Sequence, residues 1–497
     1  MAVTIESPYY DGPGAVWLRG NLHTHSTRSD GALSPQETID KYKALWYDFL
    51  MLSDHDVLGE LDGLKADGML LLRGSEISAG GPHLLHVGAS TRIDPGEDRQ
   101  QAIDAINADG GFAILCHPNW QEHFNHFPYE ELLRLRGYAG IEILNGTVLR
   151  LPGEARATDK WDRILATGRV IWGYGNDDMH KEHEQALAWT VVRARQRSVE
   201  AVLEALKAGS CYVSNGVVIE QIKCTGPVLH VFAPTAQAMA VFGDYGARLH
   251  YQLGNEIYFD VSDLRQSYVR VECYGVGAQM AWTQPFLIRG GKAEYLRKLG
   301  DEKPVLRATR VAVEPELTGR MDDPAWAKAQ PSSRFLDMKD GSAAAVETSV
   351  RCLVSKKHLL VGIRCVEPQM DKLKTSVTRH GDANTWNDDS VEVFVDAGMT
   401  EARYLHVMVS AAGFACGAWM PGGGHGPEIK VAASRNAESW TVELAIPLSA
   451  FPVKPGKDRD WGLHVCRNRK TTRSTYFWAW VGSSNHTPTR YGRLVFA

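Results

Sequence analysis

The amino-acid sequence predicts an α/β domain followed by an all-β half, and three observations carry that prediction. Through about residue 207, short apolar runs alternate with segments of helical period, the pattern of parallel β/α units. Beyond Gly209-Ser210-Cys211-Tyr212-Val213-Ser214-Asn215-Gly216 the hydrophobic period changes to two. Histidines and carboxylates recur directly after the apolar runs of the first part, at the C-terminal strand ends where β/α barrel enzymes keep their chemistry.

The first such place is Asn21-Leu22-His23-Thr24-His25-Ser26-Thr27-Arg28-Ser29-Asp30-Gly31. Side chains on extended backbone repeat with period two, so His23 and His25 project to one side and can reach one cation. Asp30 follows in a Ser-Asp-Gly turn that can swing its carboxylate back. Ser34-Pro35-Gln36-Glu37 is a capping box with proline at the first helical position, and it opens a helix through about residue 47. The buried strand 49–52 ends at Asp54-His55-Asp56, the run 69–72 leads to Glu76, and His83-Leu84-Leu85-His86-Val87 is another strand. A helix over 101–108, stopped by Gly110-Gly111, precedes 112–115 and His117. Helices near 130–135 and 159–166 precede the runs 141–144, ending at Asn145, and 170–172, leading to Asp178 and His180; a last helix covers 198–207.

Strands such as 268–273 and 280–286 form a small β module ending near residue 288. The charged, glycine-containing stretch after it reads as a linker. Alternating runs such as 359–363 and 440–446 then indicate a β-sandwich to the end of the chain. The expected domains are therefore 1–216, 217–289 and 305–497, with 290–304 as the linker.

Composition bounds the function. The 497 residues predict two or three domains, and 44% hydrophobic with 23% charged residues is globular composition. A net charge of −5 argues against a phosphate-tracking nucleic-acid binder, and no apolar run approaches the roughly 18 residues of a membrane span. The first residues have neither a basic nor an apolar region of a signal peptide, which favours the cytoplasm; a removed leader would leave an extracytoplasmic location open. The eight cysteines show no CxxC pair, and Cys352 with Cys365 could face each other as a disulfide.

Histidine nitrogen and carboxylate oxygen hold Zn, Mn or Fe in hydrolytic sites. The candidates His23, His25, Asp30, His55, Glu76, His83 or His86, His117, Asp177 or Asp178, and His180 exceed one ion's needs and imply two or three, with one carboxylate bridging. Asp54 and Asp56 bracket His55, and either could orient an imidazole or take a proton, which makes Asp56 a candidate catalytic residue. Asp177 is a second candidate, as a partner to a ligand or a helix cap. Arg28 could meet an anionic leaving group, and Asn145, ending a strand, could touch substrate. His123, His126 and His183 lie in polar loops and are expected to be solvated.

Over residues 17–216 this series resembles the PHP (polymerase and histidinol phosphatase) superfamily: HxH with Ser-Asp-Gly, the Asp-His-Asp turn, Gly-x-Glu, His-Pro and a closing Asp-x-His occur in family order. The resemblance implies a distorted seven-stranded, TIM-like β/α barrel. It implies one metal on His23, His25, Glu76 and Asp178, a second on Glu76 (bridging), His83 and His117, and a third on Asp30, His55 and His180. It favours His83 over His86, which is left as a core histidine, and Asp178 over Asp177. Tyr-Val-Ser-Asn-Gly and Ala-Trp-Thr-Gln-Pro look like the subgroup that includes carbaryl-type carbamate hydrolases. The C-terminal half is similar to the family 9 carbohydrate-binding module, through Trp386-Asn387-Asp388-Asp389-Ser390-Val391-Glu392-Val393-Phe394 and Arg490-Tyr491-Gly492-Arg493 among other stretches. There Trp386, Trp419, Trp478 or Trp480 could stack on a pyranose, and Asn387-Asp388-Asp389 could bind Ca²⁺ or cap a turn.

The expected activity is a metal-dependent phosphoesterase in which a metal-bridged hydroxide attacks phosphorus, acting on a small-molecule or sugar-linked ester. The alternatives are a carboxyl-ester, carbamate or amide hydrolase, and a polysaccharide-binding protein whose barrel is inactive.

Overall fold

The computed structural model describes residues 2–456, 459–482 and 484–496, and the chain divides into two compact units, Met1–Glu294 and Tyr295–Ala497. In the first unit β1 (Thr4–Glu6) is followed by β2 (Val16–Asn21), β3 (Phe49–Leu52), β4 (Leu70–Ile77), β5 (Leu84–Val87), β6 (Phe112–Leu115), β7 (Gly140–Asn145), β8 (Trp172–Asn176), β9 (Trp189–Ala194) and β10 (Cys211–Ser214). Hydrogen bonding connects them in the order β10-β9-β2-β3-β4-β5-β6-β7-β8. The β2–β3, β3–β4, β6–β7 and β7–β8 pairs are parallel, while β5 is antiparallel to both neighbours. That reversal follows from the short connection between β4 and β5, since a parallel pair needs a crossover of a dozen or more residues. Every residue of β3, β5, β6 and β7 is buried, as expected of strands covered on both faces.

Helices α1 (Pro35–Ala44), α2 (Arg99–Ala108), α3 (Tyr129–Arg134), α4 (Thr158–Ala166) and α5 (Val199–Lys207) alternate with the strands. The capping box at the start of α1 forms: Ser34 accepts from the Glu37 N–H and Glu37 accepts from the Ser34 N–H. Past the strand ends, main-chain bonds tie the last strand of this series to the first. Asp178 N–H donates to His23 O and His25 N–H to Met179 O, both at 2.9 Å. His23 and Asp178 are thereby drawn together although 155 positions separate them in the chain.

The stretch 217–289 is only partly set apart: strands Gln221–Thr225, Val228–Phe232 and Glu256–Asp260 pair in a three-stranded sheet of their own, while its later strands join the main sheet. Strand Met280–Thr283 pairs with β10, Tyr268–Tyr274 pairs with Met280–Thr283, and Phe286–Arg289 pairs with β1, so these strands extend the main sheet. Val269, Val271 and Phe286 share one buried cluster with Tyr9, Val191 and Tyr212, so an apolar face runs across position 216. The expected linker also differs: Gly291–Asp301 is a helix, α6, whose Leu296 and Leu299 belong to the core of the second unit. Charge and glycine gave the linker signal; the leucines spaced three apart carry the helical one.

The second unit is β-rich. Its strands pair in one path from Gly424–His425 to Lys430–Arg435, and strands near opposite ends of that path, including Ser390–Asp396 and Ser439–Pro447, contribute to a single core. Cys352 lies opposite Val361 and Cys365 opposite Thr348, so the register keeps the two thiols apart and both are free. Trp478 and Trp480 are buried, which leaves Trp386, half-exposed, and Trp419, partly buried, as the tryptophans with open ring surface among the four considered. Asp388 accepts from Val377 N–H, and Asp389 accepts from Lys374 and Lys470 N–H. These carboxylates tie loops together, with Asp388 Oδ1 left buried without a hydrogen-bond partner; among the described residues no group of three or more histidine, cysteine or carboxylate donors lies in this unit.

The joint between α4 and the added strands rests on a buried charge cluster. Arg270 donates to both Asp162 oxygens at 2.7 and 2.6 Å and to Glu272 at 2.7 Å, and Tyr268 donates to Asp162 at 2.9 Å. The two carboxylates raise the Arg270 pKa against the opposing effect of burial. Arg270→Ala would leave Asp162 buried without its cation, so urea unfolding should show a loss of about 3–5 kcal/mol; an unchanged midpoint would contradict this role.

Candidate metal centre

Four side-chain atoms converge where the ends of β2, β4 and β8 meet. His23 Nε2 is 3.2 Å from Glu76 Oε2 and 3.1 Å from Asp178 Oδ1, and His25 Nε2 is 3.3 and 3.2 Å from the same two atoms. None of the four makes a hydrogen bond, although all are buried. A tetrahedron with metal–ligand bonds of about 2.0–2.1 Å has edges of about 3.3–3.4 Å, so this spacing fits a cation at the centre. Orphaned buried polar atoms are costly, and a shared cation is what would satisfy all four at once. The donor set therefore fits the divalent metals that the sequence implies.

Around this group the other candidates fall on two sides. On one side, Glu76 Oε1 lies 2.9 Å from His83 Nδ1 and 3.4 Å from His117 Nε2. On the other, Asp30 stands 3.8 Å from His25 Nδ1, 3.6 Å from His55 Nε2 and 3.5 Å from His180 Nε2. His55 Nδ1 also reaches Glu76 Oε2 at 2.9 Å. Donor atoms group as His23/His25/Asp178, His25/Asp30/His55/His180 and His55/Glu76/His83, so all nine candidates lie in one cluster or its immediate contacts. Cys116 Sγ, which the sequence reading did not single out, lies in a group with His23, Glu76 and His117. A cavity of about 220 Å³ opens onto the cluster, lined among others by Trp120, Thr147 and Arg150.

The electrostatics are those of a site that holds positive charge. Burial opposes a charged His23, but Asp178, Glu76 and Glu142 together outweigh it and raise its pKa well above the ordinary value. The same opposition leaves His25 raised to about 9, with the close approach of the Asp178 and Glu76 carboxylates outweighing burial. Burial would raise the carboxyl pKa of Glu76 and Asp178, yet the surrounding histidines hold both well below it.

Several supporting residues are revealed by geometry. Glu142, buried within β7, accepts from His23 Nδ1 at 2.9 Å and from His117 N–H at 2.8 Å, an arrangement that fixes the ligand tautomer and leaves His23 Nε2 facing the centre. A glutamate inside the apolar run Ile141-Glu142-Ile143-Leu144 was the available signal. Asn145 donates to Glu142 at 2.9 Å and to Asp178 at 3.2 Å, so it orients a carboxylate rather than facing the cavity. Asp54 accepts from Ser26 and Ser29 and shapes the turn carrying Asp30.

Four expectations are corrected. Asp56 accepts from Ser78 N–H and Oγ and from Ala79 N–H, so loop capping occupies both of its oxygens and it is not placed as a proton acceptor. Asp177 accepts from the N–H groups of Ala186, Leu187 and Ala188 and from Tyr42 Oη, which turns it away from the cluster; burial raises its pKa to about 6. His126 is buried, not solvated: its Nε2 accepts the His83 N–H at 2.9 Å, and its ring lies 4.6 Å from that of His117. Burial lowers its pKa to about 2, with His117 and His83 acting the same way. Arg28 is half-buried and does not line the cavity. His86 is buried toward Asp109, 3.3 Å away, whereas His123 and His183 are exposed.

Residues 317–497 match the family model described as carbohydrate family 9 binding domain-like. The chain is similar to the 3',5'-nucleoside bisphosphate phosphatase of Chromobacterium violaceum, 42% identical over 82 residues, which are 16% of this chain and 28% of that protein. It is also 42% identical over 62 residues to the 5'-3' exoribonuclease of Haemophilus influenzae, 12% of this chain and 23% of that one. It thus spans about a quarter of the length of these curated relatives. A solved two-domain protein from Bacteroides vulgatus, described as containing a predicted PHP-like metal-dependent phosphoesterase, aligns at 19% identity over 57% of this chain and 98% of its own, with a TM-score of 0.34. Fold and donor cluster define the class: an α/β domain with a buried site for divalent metal, joined to a β-rich domain. More particularly, the comparisons support a PHP-plus-carbohydrate-family-9 architecture.

Two outcomes follow from this geometry. Metal must displace protons from His23 and His25, both held protonated by the carboxylates, so apparent affinity should rise with pH by roughly tenfold per unit for each proton displaced; a chelator-competition titration from pH 6 to 10 would read this, and a flat profile would contradict it. His126→Ala should weaken metal retention by about 10–100-fold by freeing the backbone at His83. His126→Gln, which keeps an acceptor at the same reach, should recover most of it.

Proposed function

We propose that the first unit is a metal-dependent phosphoesterase built as a seven-stranded, TIM-like PHP barrel holding two or three Zn, Mn or Fe ions. The observation that carries this is the set of unpartnered buried atoms on His23, His25, Glu76 and Asp178 at 3.1–3.3 Å, with further donors on both sides. Bound cations would supply Lewis-acid charge to a phosphoryl oxygen and lower the pKa of water.

The residues of the chain define the rest. Glu142 and Asn145 hold the ligands in one orientation, so little rearrangement is needed on metal binding. Trp120, edge-on to His83 and His117 at 5.7 and 5.0 Å, shields one side of the cluster from water. Arg150 reaches the cavity from the other side and pairs with Glu184, which also accepts from the N–H groups of His180 and Lys181. A guanidinium in that position suits an anionic oxygen of a phosphoester. The Chromobacterium relative, named for a nucleoside bisphosphate, supports a small phosphomonoester as substrate. The intact donor set weighs against an inactive barrel. In the second unit, the family match and the half-exposed Trp386 support binding of a carbohydrate, which would bring sugar-linked esters within reach of the enzyme.

Metal-reconstituted protein should hydrolyse nitrophenyl phosphate or a nucleotide monoester, with loss of activity on chelation. Glu76→Ala should remove more than one ion per chain by elemental analysis, and His117→Ala should lower kcat/KM at least about 100-fold, more than the loss of a residue that merely orients a ligand. Inertness toward every phosphoester beside turnover of nitrophenyl acetate or an aryl carbamate would transfer the assignment to the carboxyl-ester and carbamate class.

A further inference from the structure

The second unit contains a cavity of about 560 Å³ whose wall includes Arg310, Lys356, Lys357, His358 and Lys454, with Pro447 and Leu448 as apolar surface. Four permanent cations face it in a chain whose net charge is −5, and among the described residues no carboxylate lines it. Nor is any of the four paired with a carboxylate among those residues. Glu314, four residues from Arg310, is already engaged: it accepts from Ser355 Oγ and from His358 Nδ1 at 2.9 Å, and it acts on Lys357 only through space, without a direct ion pair.

Like charges gathered on one cavity repel one another, and that cost is recovered when an anion enters. Lys454 is also fixed in advance. Its Nζ donates to Leu448 O at 2.7 Å and Phe451 O at 2.9 Å, leaving one N–H of the ammonium for a ligand. The volume is that of a site for an organic ligand rather than a single small ion. Pro447 and Leu448 offer the kind of surface on which the C–H face of a sugar packs.

We propose that this cavity binds an acidic oligosaccharide, with Arg310, Lys356, Lys357 and Lys454 holding its carboxylate or sulfate groups. The saccharide part of the inference rests on the carbohydrate-binding reading of this unit; the anionic part rests on the cavity alone.

Calorimetric titration of the full chain with an oligogalacturonate, a heparin-derived oligosaccharide and a neutral cello-oligosaccharide tests it. At least one acidic oligomer should bind. Lys356→Ala combined with Lys357→Ala, and separately Arg310→Ala, should weaken it at least tenfold. Lys328→Ala combined with Lys430→Ala removes the same charge from exposed positions elsewhere and should leave binding unchanged. Binding of the oligogalacturonate would show that carboxylates suffice, and binding of the heparin oligomer alone would show that sulfate is required. No binding of either, or equal weakening by the control pair, would overturn the proposal. Trp386→Ala and the neutral oligomer address the broader reading separately: loss of neutral binding with acidic binding intact would sustain both, and acidic binding without any neutral binding would sustain this site alone.

Discussion

Glu76 is buried with both carboxylate oxygens turned into a ring of imidazoles, and the first unit is arranged around keeping it there. Its Oε2 lies within 3.3 Å of His23, His25 and His55, and its Oε1 within 3.4 Å of His83 and His117. A carboxylate taken out of water costs several kcal/mol unless charge or hydrogen bonds compensate it. The backbone holds the residue as firmly as the side chains do, because Glu76 N–H donates to Ser53 O and Glu76 O accepts from Asp56 N–H. Strand β4 therefore cannot slide against its neighbour without removing Glu76 from the histidines. The reversal into β5 then brings His83 back to the same carboxylate from seven residues away.

Those features most legible in the sequence obey short-range rules. His23 and His25 share a side because extended backbone repeats every two residues, and His55, Glu76, His117 and Asp178 follow apolar runs because strand ends deliver side chains to one rim. The supporting residues were harder to read. Glu142 sits in a strand that looks wholly apolar apart from itself, and its partners His23 and His117 come from distant segments. His126 reads as a loop histidine until the loop folds back over His83. Asp56 and Asp177 show the opposite difficulty: an aspartate beside a ligand looks chemical, yet each is taken up by N–H groups several to many residues away. Local pattern names the donors, and only tertiary contact tells which carboxylates are already occupied.

The same division holds in the second unit. Period-two alternation marks its strands, but tryptophan looks alike in sequence whether it fills a core or faces solvent. Trp478 and Trp480 are in the core, while Trp386 stays half-exposed with Lys470 over its ring at 5.1 Å. The four-cation cavity was invisible in sequence because Arg310, the 355–358 turn and Lys454 come from three separate segments.

The pairing of β1 with Phe286–Arg289 sets a timetable for synthesis. Thr4 is opposite Arg289, Ile5 opposite Ile288 and Glu6 opposite Leu287. At the 5–20 residues per second of a translating ribosome, a span of about 285 residues takes roughly 15–60 s to appear. Until the end of that interval Ile5 has no partner strand, although by then the segments bearing His23 through His180 have emerged. The rim carrying the donor cluster can thus assemble before the edge of its own sheet is sealed, so the order in which the chain appears separates the site from the strand that closes the sheet.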